Sequence, residues 1–361
     1  MKSSARVAAV ILLPVTLLAL IFAPHLTFFS HEASLFGIVH SWRDWMAVGP
    51  LSIFFFVAGL ELKAEFTSGI FVERRRALIP LFAVVGGMLT PALLYLLFAK
   101  VSGAPTSGWG IPMATDLPLV LAALSFMPIG FVAKVRPFLL ALAITDDLGS
   151  ILVLAFRFHQ GISIFYIALL ALAFALYWFA HHHLHGSIQK FVIAVMVGII
   201  WVASLRSGIS PSVTAVILAL LTPTISELTR SRFWEPLVNF IVVPLFVFSA
   251  LAITLDLAFA SLFSPISLSL VVARLIGKPV GIFCGAVLGA LVIRSGLGLS
   301  RTELWGAGII ASLGLSVSLL FVQLSLNLHD QGLAIIGTLL TVPLAVGVIG
   351  AYYFFTKATA A

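Results

Sequence analysis

Phe138 to Phe156 reads FLLALAITDDLGSILVLAF, an apolar run interrupted midway by Asp146 and Asp147. A run of this length matches the hydrocarbon thickness that a transmembrane helix must cross. A charged side chain at the centre of such a helix costs about 2.5–3.5 kcal/mol on insertion scales. Such residues therefore face a wet cavity and mark an ion or proton path. A third acid, Asp116, lies upstream in Ala114-Thr115-Asp116-Leu117-Pro118. The chain reads first as an ion-handling membrane protein.

The composition agrees. Hydrophobic residues make up 61% of the 361 residues and charged residues 9%, with a mean hydropathy of +1.19. A soluble domain is about 45–50% apolar and about 25% charged. Twelve apolar stretches are expected as spans, at 5–26, 46–66, 77–99, 111–127, 136–156, 162–180, 188–205, 209–223, 236–254, 267–291, 305–325 and 332–355. Val7 to Ala23 lacks a small-residue cleavage pattern and is expected to remain as a helix. With both termini cytoplasmic, only Arg43, Lys100, Arg157 and Arg206 of the 20 Lys and Arg fall outside, and Arg274 and Lys278 fall inside the tenth span. This is the positive-inside pattern, so the net charge of +7 reflects topology and is no argument for nucleic acid. The single Cys284 excludes a disulfide framework and a cysteine-based metal site.

Loops are short, with no linker, low-complexity tract or clear repeat, so 1–361 is expected to form a single transmembrane transporter domain. The polar stretch from His25 to Trp45 is expected outside, with His25, His31 and His40 solvated. The cluster His181-His182-His183-Leu184-His185 reads as an interfacial helix end. A metal pair of His181 and His185 would need a third ligand and supporting partners. Two interruptions matter more. Pro118 has no N–H, so the carbonyl of Ala114 loses its helical partner and Leu117 is pushed out of the α region. The eleventh span interleaves Gly306, Gly308 and Gly314 with Ser312, Ser316 and Ser318, which weakens a helix and supplies hydroxyls to freed backbone groups. Weakened spans in corresponding positions of the two halves point to a binding site between broken helices.

The chemistry of such a site follows from its residue types. Asp116 and Asp147 offer hard oxygen ligands, and the Thr115 hydroxyl and Ala114 carbonyl complete a shell suited to Na⁺ or Li⁺. Three acids crowded in low dielectric titrate as a coupled set, and at least one is expected to exchange its proton in the physiological range. Sodium and protons then compete for the same oxygens. A buried ammonium needs a carboxylate beside it, so Lys278 is expected to pair with Asp146, with sodium binding at Asp147 disturbing the pair. Proton release from Lys278 or Asp146 as well would move more than one proton per sodium, making exchange electrogenic. Asp146 and Asp147 could instead cap a helix or pair with Arg274, and Lys278 could be purely structural. Arg274 could neutralise an acid or snorkel. Glu61, Lys63 and Glu65 close the second span as either a solvated ion-pair group or an entry funnel.

These segments resemble the NhaA family of bacterial sodium/proton antiporters. The resemblance is carried by FFFVAGLELKAEF (54–66), GWGIPMATDLPLVLAALS (108–125), FLLALAITDDLGSILVLAF (138–156), VVPLFVF (242–248) and RLIGKPVGI (274–282), in family order from about residue 40 to the C-terminus. It implies an all-α polytopic protein of twelve transmembrane helices with inverted repeats, in which spans four and eleven are crossing discontinuous helices. The core would comprise roughly 77–156 and 267–355, with the remaining spans as a scaffold or dimer side and an elevator-like alternation of access. It implies Asp147 and Asp116 as the cation site, Asp146 and Lys278 as paired proton carriers, and Glu61 and Glu65 in a cytoplasmic funnel. The implied protein is a non-enzymatic transporter without a cofactor, exchanging cytoplasmic Na⁺ or Li⁺ for external H⁺. Its setting is the bacterial inner membrane, multi-pass with both termini cytoplasmic, as a homodimer in the lipid bilayer and with a role in pH homeostasis.

The chain also departs from that pattern. Val48 stands where the family often has an acid, Ile209-Ser210-Pro211 follows Ser207-Gly208 where a histidine is common, and Ser231 and Arg232 replace His and Glu pairs. A shallower or shifted pH profile is expected. A sodium-coupled symporter of related architecture is the main competing reading. An intramembrane aspartyl protease needs a shared proton with no strong cation nearby, and the chain lacks the Gly-x-Gly-Asp pattern. A retinal pigment fits poorly with twelve spans and a Lys-Pro in the tenth.

Overall fold

The computed structural model describes residues 2–22, 25–68, 74–157, 163–222, 234–253, 255, 259–294 and 296–358. Its elements are α1 (Lys2–Phe22), strands β1 (Glu32–Leu35) and β2 (Ile38–Ser41), α2 (Trp42–Ser68), α3 (Arg74–Ser102), a 3₁₀ segment (Thr106–Met113), α4 (Leu117–Leu124), α5 (Ile129–Arg157), α6 (Ile164–His183), α7 (Gly186–Ser207) and α8 (Pro211–Leu221). A π-turn (Val238–Val242) leads into α9 (Val243–Ala250). Then come α10 (Pro265–Val272), a second π-turn (Ala273–Gly277), α11 (Lys278–Ile293), α12 (Arg301–Ala311), α13 (Ser316–Ser325) and α14 (Leu328–Ala358).

The chain is an all-α membrane protein with one small ribbon added. Among the described residues, six helical stretches are long and apolar enough to cross a membrane: Trp42–Ala64, Leu78–Ser102, Ile164–His183, Gly186–Ser207, Pro265–Ile293 and Leu328–Phe354. α12 and α13 form a further apolar pair, bent by 54° at their break. Large apolar side chains such as Leu93, Ile164 and Leu291 stand exposed on these rods, as expected where the solvent is lipid and the backbone is satisfied within each helix.

Two compact units divide the chain. The first comprises Met1–Thr27, Glu65–Ser150 and Ala250–Ala361. Within it α3 packs against α11 through glycines. A Cβ on Gly281 would run into the carbonyl oxygen of Gly86 and lie 2.7 Å from Thr90 Oγ1, and one on Gly285 would meet the carbonyl of Phe82. Small residues here let two backbones approach, the usual route to helix association in lipid. The tenth span is not a plain helix. Pro279 cannot donate to the carbonyl four residues earlier, and the chain widens into the π-turn just before it.

The second unit comprises Phe28–Ala64 and Ile151–Ser249. Its core joins Leu170, Ala173 and Tyr177 of α6, Ile200 and Ala203 of α7 and Leu218 of α8. The Lys63 amine donates to the carbonyls of Leu220 (2.7 Å) and Thr222 (2.6 Å), capping the end of α8, where a cation suits the helix dipole. The polar segment between the first two spans carries the antiparallel ribbon β1–β2, with Glu32 opposite Ser41 and Leu35 opposite Ile38. Phe36 and Gly37 turn it with φ of 55° and 70°, the left-handed pair that a two-residue hairpin requires. Arg206 donates to the Phe36 carbonyl and to the Tyr166 hydroxyl at 3.2 Å, holding that turn.

The histidine cluster does not form the helical pair considered above. α6 ends at His183 and His185 is extended, so His181 and His185 do not share a helix face. Among the described residues, no group of three His, Cys, Asp or Glu side chains is placed to hold a metal.

Candidate cation and proton site

Helical order fails twice within the first unit, and the two failures are tied to each other. After the 3₁₀ segment the chain is extended at Ala114 (φ −74°, ψ 142°) and Asp116 (φ −110°, ψ 107°), and α4 restarts with Pro118 in its first turn, where a missing N–H costs nothing. The break falls where Pro118 predicts it. The second break spans residues 312–315, between α12 and α13. The N–H of Asp116 donates to the Leu313 carbonyl at 2.8 Å, and the Thr115 hydroxyl donates to the Ala311 carbonyl at 2.9 Å. Gly314 is obligatory at this approach, because a Cβ there would strike the Ala114 carbonyl oxygen.

The acids sit around these breaks. Asp116 Oδ2 accepts from the N–H (3.0 Å) and the hydroxyl (2.8 Å) of Ser316. Ser316 opens α13, so the carboxylate lies at a helix N-terminus, where anions are favoured. Asp146 and Asp147 project from α5, which is helical throughout Ile129–Arg157. Lys278 Nζ donates to Asp146 Oδ2 at 2.6 Å and to the Met113 carbonyl. Thr115, Asp116, Asp146, Asp147 and Lys278 are all buried, none above 4% exposed. Asp146 Oδ1 and the neighbouring Ser150 hydroxyl are buried without a hydrogen-bond partner among the described residues.

Arg274, the other cation of the tenth span, is resolved by the geometry. It neither snorkels nor forms an ion pair with an acid among the described residues. Its Nη1 donates to the Gly314 carbonyl at 2.7 Å and to Thr341 Oγ1 at 3.4 Å. Its Nη2 donates to the carbonyls of Ile111 at 2.8 Å and Ala114 at 3.4 Å, and to the Ser318 hydroxyl.

With every group ionised, the acids Asp116, Asp146 and Asp147 outnumber the cations Arg274 and Lys278 by one. Isolated charge is costly in a low-dielectric interior. A monovalent cation or a proton balances the set, whereas a divalent ion over-compensates it. The Asp146–Lys278 pair is also the strong cation contact that shared-proton aspartyl chemistry excludes.

Glu61 and Glu65, expected in a funnel, stand apart from this cluster in the sequence. Glu61 is half-buried on α2, and the side chain of Glu65 lies outside the described residues, as do Ser231 and Arg232. Sequence reasoning missed Ser316 as the donor to Asp116 and the Met113 carbonyl as a Lys278 partner. Ser316 had already stood out among the hydroxyls of the eleventh span.

The chain is similar to known proteins. A family model described as "Na+/H+ antiporter 1" matches residues 1–354. The chain is 35% identical to a Na(+)/H(+) antiporter NhaA 2 of Clavibacter michiganensis, covering 82% of this chain and 75% of that protein. It is 36% identical to a Na(+)/H(+) antiporter NhaA of Cutibacterium acnes (78% and 70% covered). It is 31% identical to a Na(+)/H(+) antiporter NhaA of Salmonella arizonae (80% and 76% covered). Matched along nearly its whole length, the chain belongs to the Na+/H+ antiporter 1 family.

Proposed function

We propose that this chain is a secondary transporter, not an enzyme, that exchanges cytoplasmic Na⁺ or Li⁺ for external H⁺ across the bacterial inner membrane. The observation that carries the reading is the charge set: Asp116, Asp146 and Asp147 against Lys278 and Arg274, all buried and one positive charge short. Na⁺ and H⁺ are the alternative occupants. Asp147 and Asp116 hold the cation with the Thr115 hydroxyl, whose lone pairs remain available while it donates to the Ala311 carbonyl. Asp146 and Lys278 carry protons as a pair, and loss of the Lys278 proton as sodium enters moves more than one proton per cycle, so exchange is electrogenic. Glu61 and Glu65 form the cytoplasmic funnel.

The architecture that goes with this reading has twelve spans, inverted repeats and both termini cytoplasmic. The short helices α4, α8 and α9 and the bent pair α12–α13 supply the spans beyond the longest rods. The two breaks cross at the ion site, and the core of roughly 77–156 and 267–355 alternates its access. The spans outside the core are the scaffold and the side for a homodimer.

The test is exchange by the purified chain in proteoliposomes. Addition of Na⁺ alone is expected to drive proton movement, read by a pH-sensitive dye. No movement with Na⁺ alone, together with sodium-dependent uptake of an organic solute, would replace this reading with a symporter.

A further inference from the structure

The residue that the transport reading leaves without a task is Arg274. At 1% exposure it is the largest fully buried side chain among the described residues, and it stands one helical turn before Lys278. Breaking two helices exposes carbonyl groups that have lost their i+4 donors, and in a dry interior each orphan is costly. The Arg274 fork reaches both breaks at once: Ile111 and Ala114 on one side, Gly314 and Ser318 on the other. Thr341 of α14 supports it from behind.

We propose that Arg274 is a positioning residue for the ion site. It is a fixed cationic clamp that sets the distance between the two breaks and so holds Thr115 and Asp116 in register with Ser316. The planar guanidinium presents its donors in a rigid fork and keeps its charge, whereas an ammonium is a point charge on a flexible stem. The two cations of the tenth span thereby divide the work. Arg274 satisfies the carbonyl ends permanently, and Lys278, with one backbone acceptor at Met113 and one carboxylate at Asp146, is released to exchange its proton. Without the clamp, proton loss at Lys278 would leave the freed carbonyls of both breaks with no cation at all.

This rests on the antiport reading above, and the experiment separates the two. Sodium-dependent proton movement is measured in proteoliposomes at fixed pH for the unmutated chain and for Arg274→Lys, which keeps the charge and loses the fork. The clamp predicts a rise in the KM for Na⁺ of about tenfold or more with Vmax within about twofold. A merely structural role would lower Vmax with the amount of folded protein and leave KM in place, and an unchanged KM overturns the proposal. Should Arg274→Lys fail to fold, the double variant Ser318→Ala/Thr341→Val strips two acceptors from the fork without touching its charge, and is judged by the same KM criterion. Failure of the unmutated chain to respond to Na⁺ would sink the antiport reading, and the clamp with it.

Discussion

Asp116 and Ser316, 200 positions apart, are joined by two hydrogen bonds to a single carboxylate oxygen, one from the serine N–H and one from its hydroxyl. The contact closes one helical break against the start of the helix that follows the other. The backbone donor survives any side-chain change, so the hydroxyl can be tested alone. Ser316→Ala removes one donor from a buried carboxylate, and a hydrogen bond to a charged group contributes about 1.5–3 kcal/mol. A clear drop in thermal unfolding midpoint in detergent is expected. An unchanged midpoint would mean that this bond does not hold the breaks together.

Lys278→Gln removes one partner of a buried ion pair and strands Asp146. Breaking such a pair from one side costs about 3–5 kcal/mol, so the variant is expected to unfold earlier. In vesicles its residual exchange is expected to ignore an imposed membrane potential, because the residue assigned the extra proton is gone. Exchange that still responded to voltage would contradict the assignment.

Much of this was legible in the residues. Pro118 announces the first break, and the glycine and serine pattern around 306–318 announces the second. The pairing of Lys278 with Asp146 follows from the need of a buried ammonium for a carboxylate. What could not be read is what depends on long side chains reaching across sequence. Arg274 meets Ile111 163 positions away, and no local pattern encodes that. The ribbon at 32–41 was hidden for a different reason. Its turn is Phe36-Gly37 rather than the Asn-Gly that marks such hairpins, and a bulky residue at positive φ is uncommon. The short, alternating run ahead of Gly37 was the signal available. The π-turn at Ala273–Gly277 follows from Pro279, which predicts a disturbance without saying which kind.

The glycine seam between α3 and α11 should be sensitive to single methyl groups. Gly281→Ala places a Cβ against the Gly86 backbone and 2.7 Å from Thr90 Oγ1, and overpacking of this kind costs about 1–3 kcal/mol. Reduced thermal stability is expected, whereas Gly347→Ala, with open space around it in the interior of α14, should leave the midpoint unchanged or slightly raised, since alanine favours the helix. Equal tolerance at both positions would show that the helices do not meet as described.

The pH response should be broad. Between α7 and α8 the turn is built from Gly208 in the left-handed region and Ser210 accepting from the Ser212 N–H at 3.3 Å, with no titratable side chain from Ser207 to Pro211. The pH dependence then rests on the competition of Na⁺ and protons for the acids of the site. Dye dequenching across pH is expected to show a shallow or displaced profile. A sharp switch-on from neutral to alkaline pH would place a sensor elsewhere.

The most direct test is Asp147→Asn in proteoliposomes beside the unmutated chain. The amide keeps the shape of the side chain and removes the charge that sodium and protons contend for. Loss of sodium-driven proton movement in a folded variant is predicted. Full retention of that movement would contradict the competition on which the mechanism stands.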